Sequence, residues 1–156
     1  MPAPTAAASD SSPSTPVGGD VRARLSAHFA AVAPSGVVAA WLFGSHVEGR
    51  AHRESDVDVG VLLDRRAHPT ATDRFEAALA LHADLSTALA LPRLDLVVLN
   101  DVPPGLAAHV VTAGVRVGCG DAEGEHAFRR DAQRRAADLR PWLARMRRLK
   151  LEAIAR

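Results

Sequence analysis

Between Gly36 and Gly44 the chain is apolar without interruption: Val37, Val38, Ala39, Ala40, Trp41, Leu42 and Phe43. A run this short, bounded by glycines and lacking a polar face, reads as a strand buried on both sides. Such a strand needs a layer above it and a layer below it, and the flanking segments supply both. Asp20 is a helix N-cap, followed by Val21, Leu25, His28, Phe29 and Val32 at helical spacing, and Pro34-Ser35-Gly36 ends that element. Val57–Leu63 and Leu94–Leu99 read as two further strands. Between them Thr70 to Leu91 reads as a helix with Phe75, Leu79, His82, Leu85 and Leu89 on its inner face, stopped by Pro92.

Val47 to Arg53 has room for a helical turn or two, a short helix is expected to end near Gly114, and Val115–Val117 fits a short edge strand. From Asp121 a long charged helix carries a narrow stripe of Phe128, Ala132, Leu139, Leu143 and Met146, which Pro141 must kink or divide. The expectation is a mixed α+β (α/β) fold: a short mixed sheet flanked by helices, with a long C-terminal helical segment. A chain of 156 residues holds one core of this kind. The expected organisation is a disordered Ala/Ser/Thr/Pro-rich tail over 1–19, a core over 20–120, and a helical segment over 121–156 that packs on the core or on a partner.

A formal charge of +1 gives no global field for nucleic acid or for a membrane surface, so sequence-specific nucleic-acid binding is not expected. No apolar run reaches the ~20 residues that span a bilayer. Cys119 is the only cysteine and cannot close an internal disulfide, so a reducing, cytoplasmic setting is the default. The seven histidines show no zinc spacing.

Chemistry enters with three features in order. Gly44-Ser45 follows the first strand, Ser55-Asp56-Val57-Asp58 opens the second, and Asp95 lies in the third. Residues two apart on a strand share a face, so Asp56 and Asp58 point the same way, about 6–7 Å apart at the backbone. Two carboxylates at that separation repel by roughly 2–3 kcal/mol at an effective dielectric near 20. Asp95 between Leu94 and Leu96 is a poor candidate for an unpaired structural carboxylate. Convergence on two magnesium ions accounts for all three, because oxygen-only ligation suits that ion and a two-metal pair serves in-line phosphoryl displacement. Gly44-Ser45, where a strand meets a helical turn, offers backbone N–H groups and a hydroxyl to a triphosphate.

Gly44-Ser45, ten intervening residues, Asp56-Val57-Asp58 and a later aspartate in an apolar strand resemble the DNA polymerase β-type nucleotidyltransferase superfamily. Within it, Gly44-Ser45-His46-Val47-Glu48-Gly49-Arg50-Ala51 and Glu54-Ser55-Asp56-Val57-Asp58 are similar to the minimal nucleotidyltransferase (MNT) antitoxins, the partners of HEPN-domain toxins. Gly118-Cys119-Gly120-Asp121, Phe128 and Leu139-Arg140-Pro141-Trp142-Leu143 resemble the end of those antitoxins. The resemblance implies that Asp56 and Asp58 bind both metals, and that Asp95 completes one metal site and orients or deprotonates the attacking hydroxyl. It further implies that Gly44 and Ser45 hold the β- and γ-phosphates of ATP, and that AMP passes to a tyrosine of a HEPN RNase toxin. His46 departs from the arginine that family members often carry there.

Each motif has a plainer reading. Ser55 either meets a phosphate or caps its own turn; Arg50 either steers phosphates or pairs with Glu48 or Glu54. His82 fits a half-buried packing role, and Trp41 and Trp142 fit core or helix-packing positions. The basic residues from Arg129 to Lys150 are either a solvated face paired to Asp131 and Asp138 or a docking surface. Two other functions compete with the antitoxin enzyme: a stand-alone transferase acting on a small alcohol, similar to kanamycin nucleotidyltransferases, and a non-catalytic module that masks a toxin.

Overall fold

The computed structural model describes residues 17–52 and 55–154. The tail expected over 1–19 lies outside the described residues as far as residue 16. Helix α1 spans Val17–Val32, three residues earlier than the Asp20 start expected, and leads into β1, Val37–Phe43. A single turn of 3-10 helix, Gly44–His46, follows at once, so the expected turn at 47–53 is displaced to the motif itself. Next come β2 (Val57–Leu63), α2 (Ala71–Ala88), β3 (Leu94–Val98), α3 (Pro104–Ala113), β4 (Val115–Cys119) and α4 (Ala122–Ile154).

The four strands form one mixed sheet in the order β3-β2-β1-β4. β1 is antiparallel to both β2 and β4, and β2 is parallel to β3 through the α2 crossover. The apolar run of β1 is therefore a central strand, and Ala39 through Leu42 are essentially inaccessible to solvent. On one face, Val57, Val59 and Val61 pack with Val21, Leu25 and Phe29 of α1 and Leu81 and Leu85 of α2. On the other, Trp41 and Leu62 pack with Leu99 and with Val110 and Val111 of α3. Gly60 permits this second layer, because a Cβ there would lie 2.9 Å from Val110 Cγ1.

Local chemistry sets the element ends. Thr70 and Asp73 form a reciprocal capping box at the start of α2: Asp73 N–H donates to Thr70 Oγ1 (3.1 Å) and Thr70 N–H to Asp73 Oδ2 (2.8 Å). Asn100 extends the sheet with its side chain, accepting from Leu63 N–H and donating to Leu63 C=O, both at 2.9 Å.

Three expectations about helices are corrected. The buried side of α2 carries Arg74, Ala78, Leu81 and Leu85, while Phe75 and Leu79 are 62% and 55% exposed. That stripe falls beside β3, where the sheet ends and nothing in the described chain covers it. Arg74 takes the inner place because Asp101 receives its guanidinium through two bonds (2.8 and 2.6 Å), and the His68 and Pro69 carbonyls satisfy Nη1. Trp142 is exposed rather than packed, and α4 is not divided at Pro141, which lies inside it. Only the first turns of α4 dock on the domain, with Ala132 buried and Phe128 against Trp41's cluster. Pairs from Arg134 and Arg135 to Asp131, and from Arg134 to Asp138, run along the helix as the plainer reading held.

The anchor of α4 is a feature that sequence inspection missed. Glu125 is 1% exposed and accepts from Arg116 of β4 (2.7 Å) and from Arg129 one turn on (2.7 Å). Burial by itself would push this carboxyl up, but the two arginine hydrogen bonds and charges outweigh it and hold it below its ordinary 4.5. Glu125→Ala is expected to cost about 2–3 kcal/mol, less than the ~3–5 kcal/mol for breaking a fully enclosed pair, because both arginines reach solvent. A carboxyl lowered on folding stabilises fully above its unfolded value and loses that contribution as pH falls through the lowered one. Urea unfolding of wild type and Glu125→Gln should therefore show a gap at neutral pH that narrows in acid below 4.5.

Candidate active site

Because β1 and β2 are antiparallel and β3 runs with β2, the end of β1 and the starts of β2 and β3 meet at one end of the sheet. Phe43 is the register partner of Asp58, and Asp58 is the register partner of Asp95. Register partners on neighbouring parallel strands lie ~4.8 Å apart with side chains on one face. The face is the one that carries α3, opposite α1 and α2. Asp56 lies just before β2, and its charge bears on Asp58.

The three aspartates differ in setting. Asp58 is half-buried, whereas Asp56 and Asp95 are exposed. Asp95, between Leu94 and Leu96, stands on an edge strand and is open to solvent. Asp58 has its carboxyl raised, first by burial and then by the negative charges of Asp95 and Asp56; His46 opposes the shift. Those charges are thus near enough to be felt. Among the described residues, no three His, Cys, Asp or Glu side chains already form a set that could hold a metal ion.

Gly44 sits against this cluster. Its φ of +71° belongs to the left-handed region, and a Cβ there would lie 2.3 Å from Asp58 Oδ2. Glycine is required on both counts. Its carbonyl accepts from Val47 N–H (3.0 Å) and Glu48 N–H (3.1 Å), so the turn closes behind the motif. The first amides of such a turn have no partner within it. Ser45 is half-buried at this point, beside His46.

The remaining nominated residues follow their plainer readings. Ser55 Oγ accepts from His52 N–H (2.9 Å) and shapes its own turn. Arg50 is exposed and ion-paired to Glu48; its other suggested partner, Glu54, lies outside the described residues. His82 is half-buried with Nε2 3.0 Å from the Leu94 carbonyl. His46 is 8% exposed, with Nε2 3.5 Å from the Ser55 carbonyl and no partner for Nδ1 among the described residues.

Hard oxygen donors are the right chemistry for magnesium, and the like charge that raises Asp58 is what a divalent cation between these strands would offset. The donors match the ion in chemistry, although among the described residues their side chains are not gathered into a set that could hold it.

The family described as "Polymerase beta, Nucleotidyltransferase" matches residues 30–123. No curated protein matches the sequence. Among solved structures, the chain is similar to one from a toxin–antitoxin crystallised with AMP-PNP, at 23% identity and a TM-score of 0.56, covering 86% of this chain and 98% of that one. It is also similar to one in the tri-AMPylated Shewanella oneidensis HEPN toxin complexed with MNT antitoxin (19%, TM-score 0.54, 86% and 99% covered). At such identities these likenesses speak to the fold. The family match spans the sheet, the Gly44-Ser45 turn and all three aspartates, more than half of the 156 residues, and the chain belongs to the polymerase β nucleotidyltransferase family.

Proposed function

We propose that this protein is a magnesium-dependent antitoxin that transfers AMP from ATP to a tyrosine hydroxyl of a partner HEPN-domain toxin. The observation that carries the reading is the register pairing of Asp58 with Asp95, with Gly44 against Asp58 and the charge of Asp56 near enough to raise the Asp58 carboxyl. Asp56, Asp58 and Asp95 would hold the magnesium ions. When bound, the ions neutralise charge on the triphosphate and on departing pyrophosphate.

The chain's own groups divide the remaining work. Amides of the Gly44–His46 turn and the Ser45 hydroxyl hold the β- and γ-phosphates on the β1 side. Asp95, on the β3 side, receives the hydroxyl proton as its oxygen bonds the α-phosphorus and the bond to pyrophosphate breaks. Ser55 and Arg50 serve at the margin: Ser55 fixes the turn that leads into Asp56, and Arg50 can leave its exposed pair with Glu48 for a phosphate. This sequence contains no tyrosine, so a tyrosine acceptor is not one of its own residues. The solved relatives with AMP-PNP and with an AMPylated HEPN toxin support the choice of nucleotide and partner.

Intact mass measurement of a HEPN partner co-expressed with this protein tests the reading. Additions of AMP are expected with wild type and none with Asp56→Ala/Asp58→Ala. A double variant that still silences the toxin would instead identify a masking protein.

A further inference from the structure

We infer that the open edge of β3, with the groove between it and α2, is the seat of the acceptor: an extended polypeptide segment that pairs with Leu96 and presents its hydroxyl at Asp95. The inference rests on the reading that the acceptor is a protein.

β3 ends the sheet. Its backbone alternates: Arg93 C=O accepts from Val57 N–H and Leu99 N–H donates to Val61 C=O, each at 2.8 Å, so odd-numbered residues face β2. Leu94, Leu96 and Val98 therefore direct their backbone groups outward. His82 meets the Leu94 carbonyl and Asp101 N–H the Val98 carbonyl (3.2 Å). Leu96, between them, points both N–H and C=O at the edge. A matched donor and acceptor in the plane of a sheet is what an added strand binds.

The side chains agree with this occupant. A groove of about 490 Å³ lies along β3, lined by Phe75, Leu79, Leu96 and Val98, with Asp95 among its residues. Phe75 and Leu79 are large and mostly exposed, and they overhang the face of β3 to which Leu96 projects. Asp95 projects to the other face, with Asp58. An added strand alternates in the same way, so a residue that turns its hydroxyl toward Asp95 sends its two neighbours into the groove. The occupant is thus an extended segment whose hydroxyl residue has apolar neighbours. The phosphate turn lies on the far flank of Asp58, which leaves this flank for the acceptor.

A synthetic peptide of roughly ten residues with tyrosine between two valines, added at low millimolar concentration with Mg-ATP to the isotope-labelled full chain, tests this by NMR. The Leu96 and Val98 amides are expected to shift and to exchange more slowly. Phe75→Asp and Leu79→Asp should weaken that response roughly tenfold or more while leaving the resonances of the Gly44–His46 turn and their response to Mg-ATP as in wild type. Both positions are exposed, so the fold is retained. No β3 response, or a response centred on α4, overturns the inference. So does slowed exchange at β3 that grows with protein concentration and needs no peptide, which would mean a second copy on the edge. AMP on the peptide tyrosine is read separately by mass. A β3 response without AMP rejects the transfer reading and keeps the docking site, and AMP without a β3 response does the reverse.

Discussion

Asp58→Asn is expected to cut nucleotide transfer by on the order of a thousandfold, the scale of removing a preorganised charge from a reacting phosphoryl group, while raising thermal stability. The two effects have one cause. Asp58 is partly buried, is in register with Asp95 and feels the charge of Asp56, so folding makes its negative form less favourable. A carboxyl raised on folding contributes most stability in acid and loses it as pH rises through the raised value. A neutral, nearly isosteric amide removes that penalty at neutral pH. The gain over wild type should shrink as the pH falls and the wild-type carboxyl takes up its proton. Scanning calorimetry at neutral and acid pH, alongside transfer assays, checks both halves. A variant that is inactive because it melts earlier than wild type would contradict the assignment, since Asp58 would then be a structural partner.

This tension between stability and chemistry also explains which parts of the molecule were legible beforehand. β1 and β2 were read from their apolar runs with the bounds observed, and Gly44-Ser45 and Asp56-Val57-Asp58 were placed at their ends. Both strands lie in the interior of the sheet, where burial on two faces leaves a simple pattern. The errors gather at the sheet's edge. Phe75 and Leu79 form a helical stripe with His82, but helical periodicity reports which residues share a face, not what covers that face. Arg74 takes the inner place instead of them through its contacts with Asp101 and with two carbonyls, a tertiary pairing across 27 residues that no local pattern carries. The exposure of Asp95 is likewise not written in its apolar neighbours, because it follows from the edge position of β3. Trp142 and the rest of the exposed α4 stripe show the limit again, since a heptad-like pattern does not distinguish a neighbour in the same chain from one in another.

Gly44→Ala should be the most damaging change outside the acidic residues, lowering transfer on the order of a hundredfold at a stability cost of ~1–2 kcal/mol. The backbone cost follows from φ of +71°, which L side chains avoid. The functional cost is larger because the added methyl would lie 2.3 Å from Asp58 Oδ2, inside any van der Waals contact. Either the carboxylate turns away from Asp95 or the turn retreats from the strand ends. Both movements separate the phosphate cradle from the acidic cluster, and a displacement near 1 Å is worth about a hundredfold in rate. The loss should therefore appear in kcat as well as in the KM for Mg-ATP. Gly49 supplies the control: its φ is also +71°, but an added Cβ meets nothing within 4 Å. Gly49→Ala should carry the backbone cost with transfer close to wild type. Equal losses of transfer in the two variants would show that strain in the loop, and not contact with Asp58, makes glycine necessary at position 44.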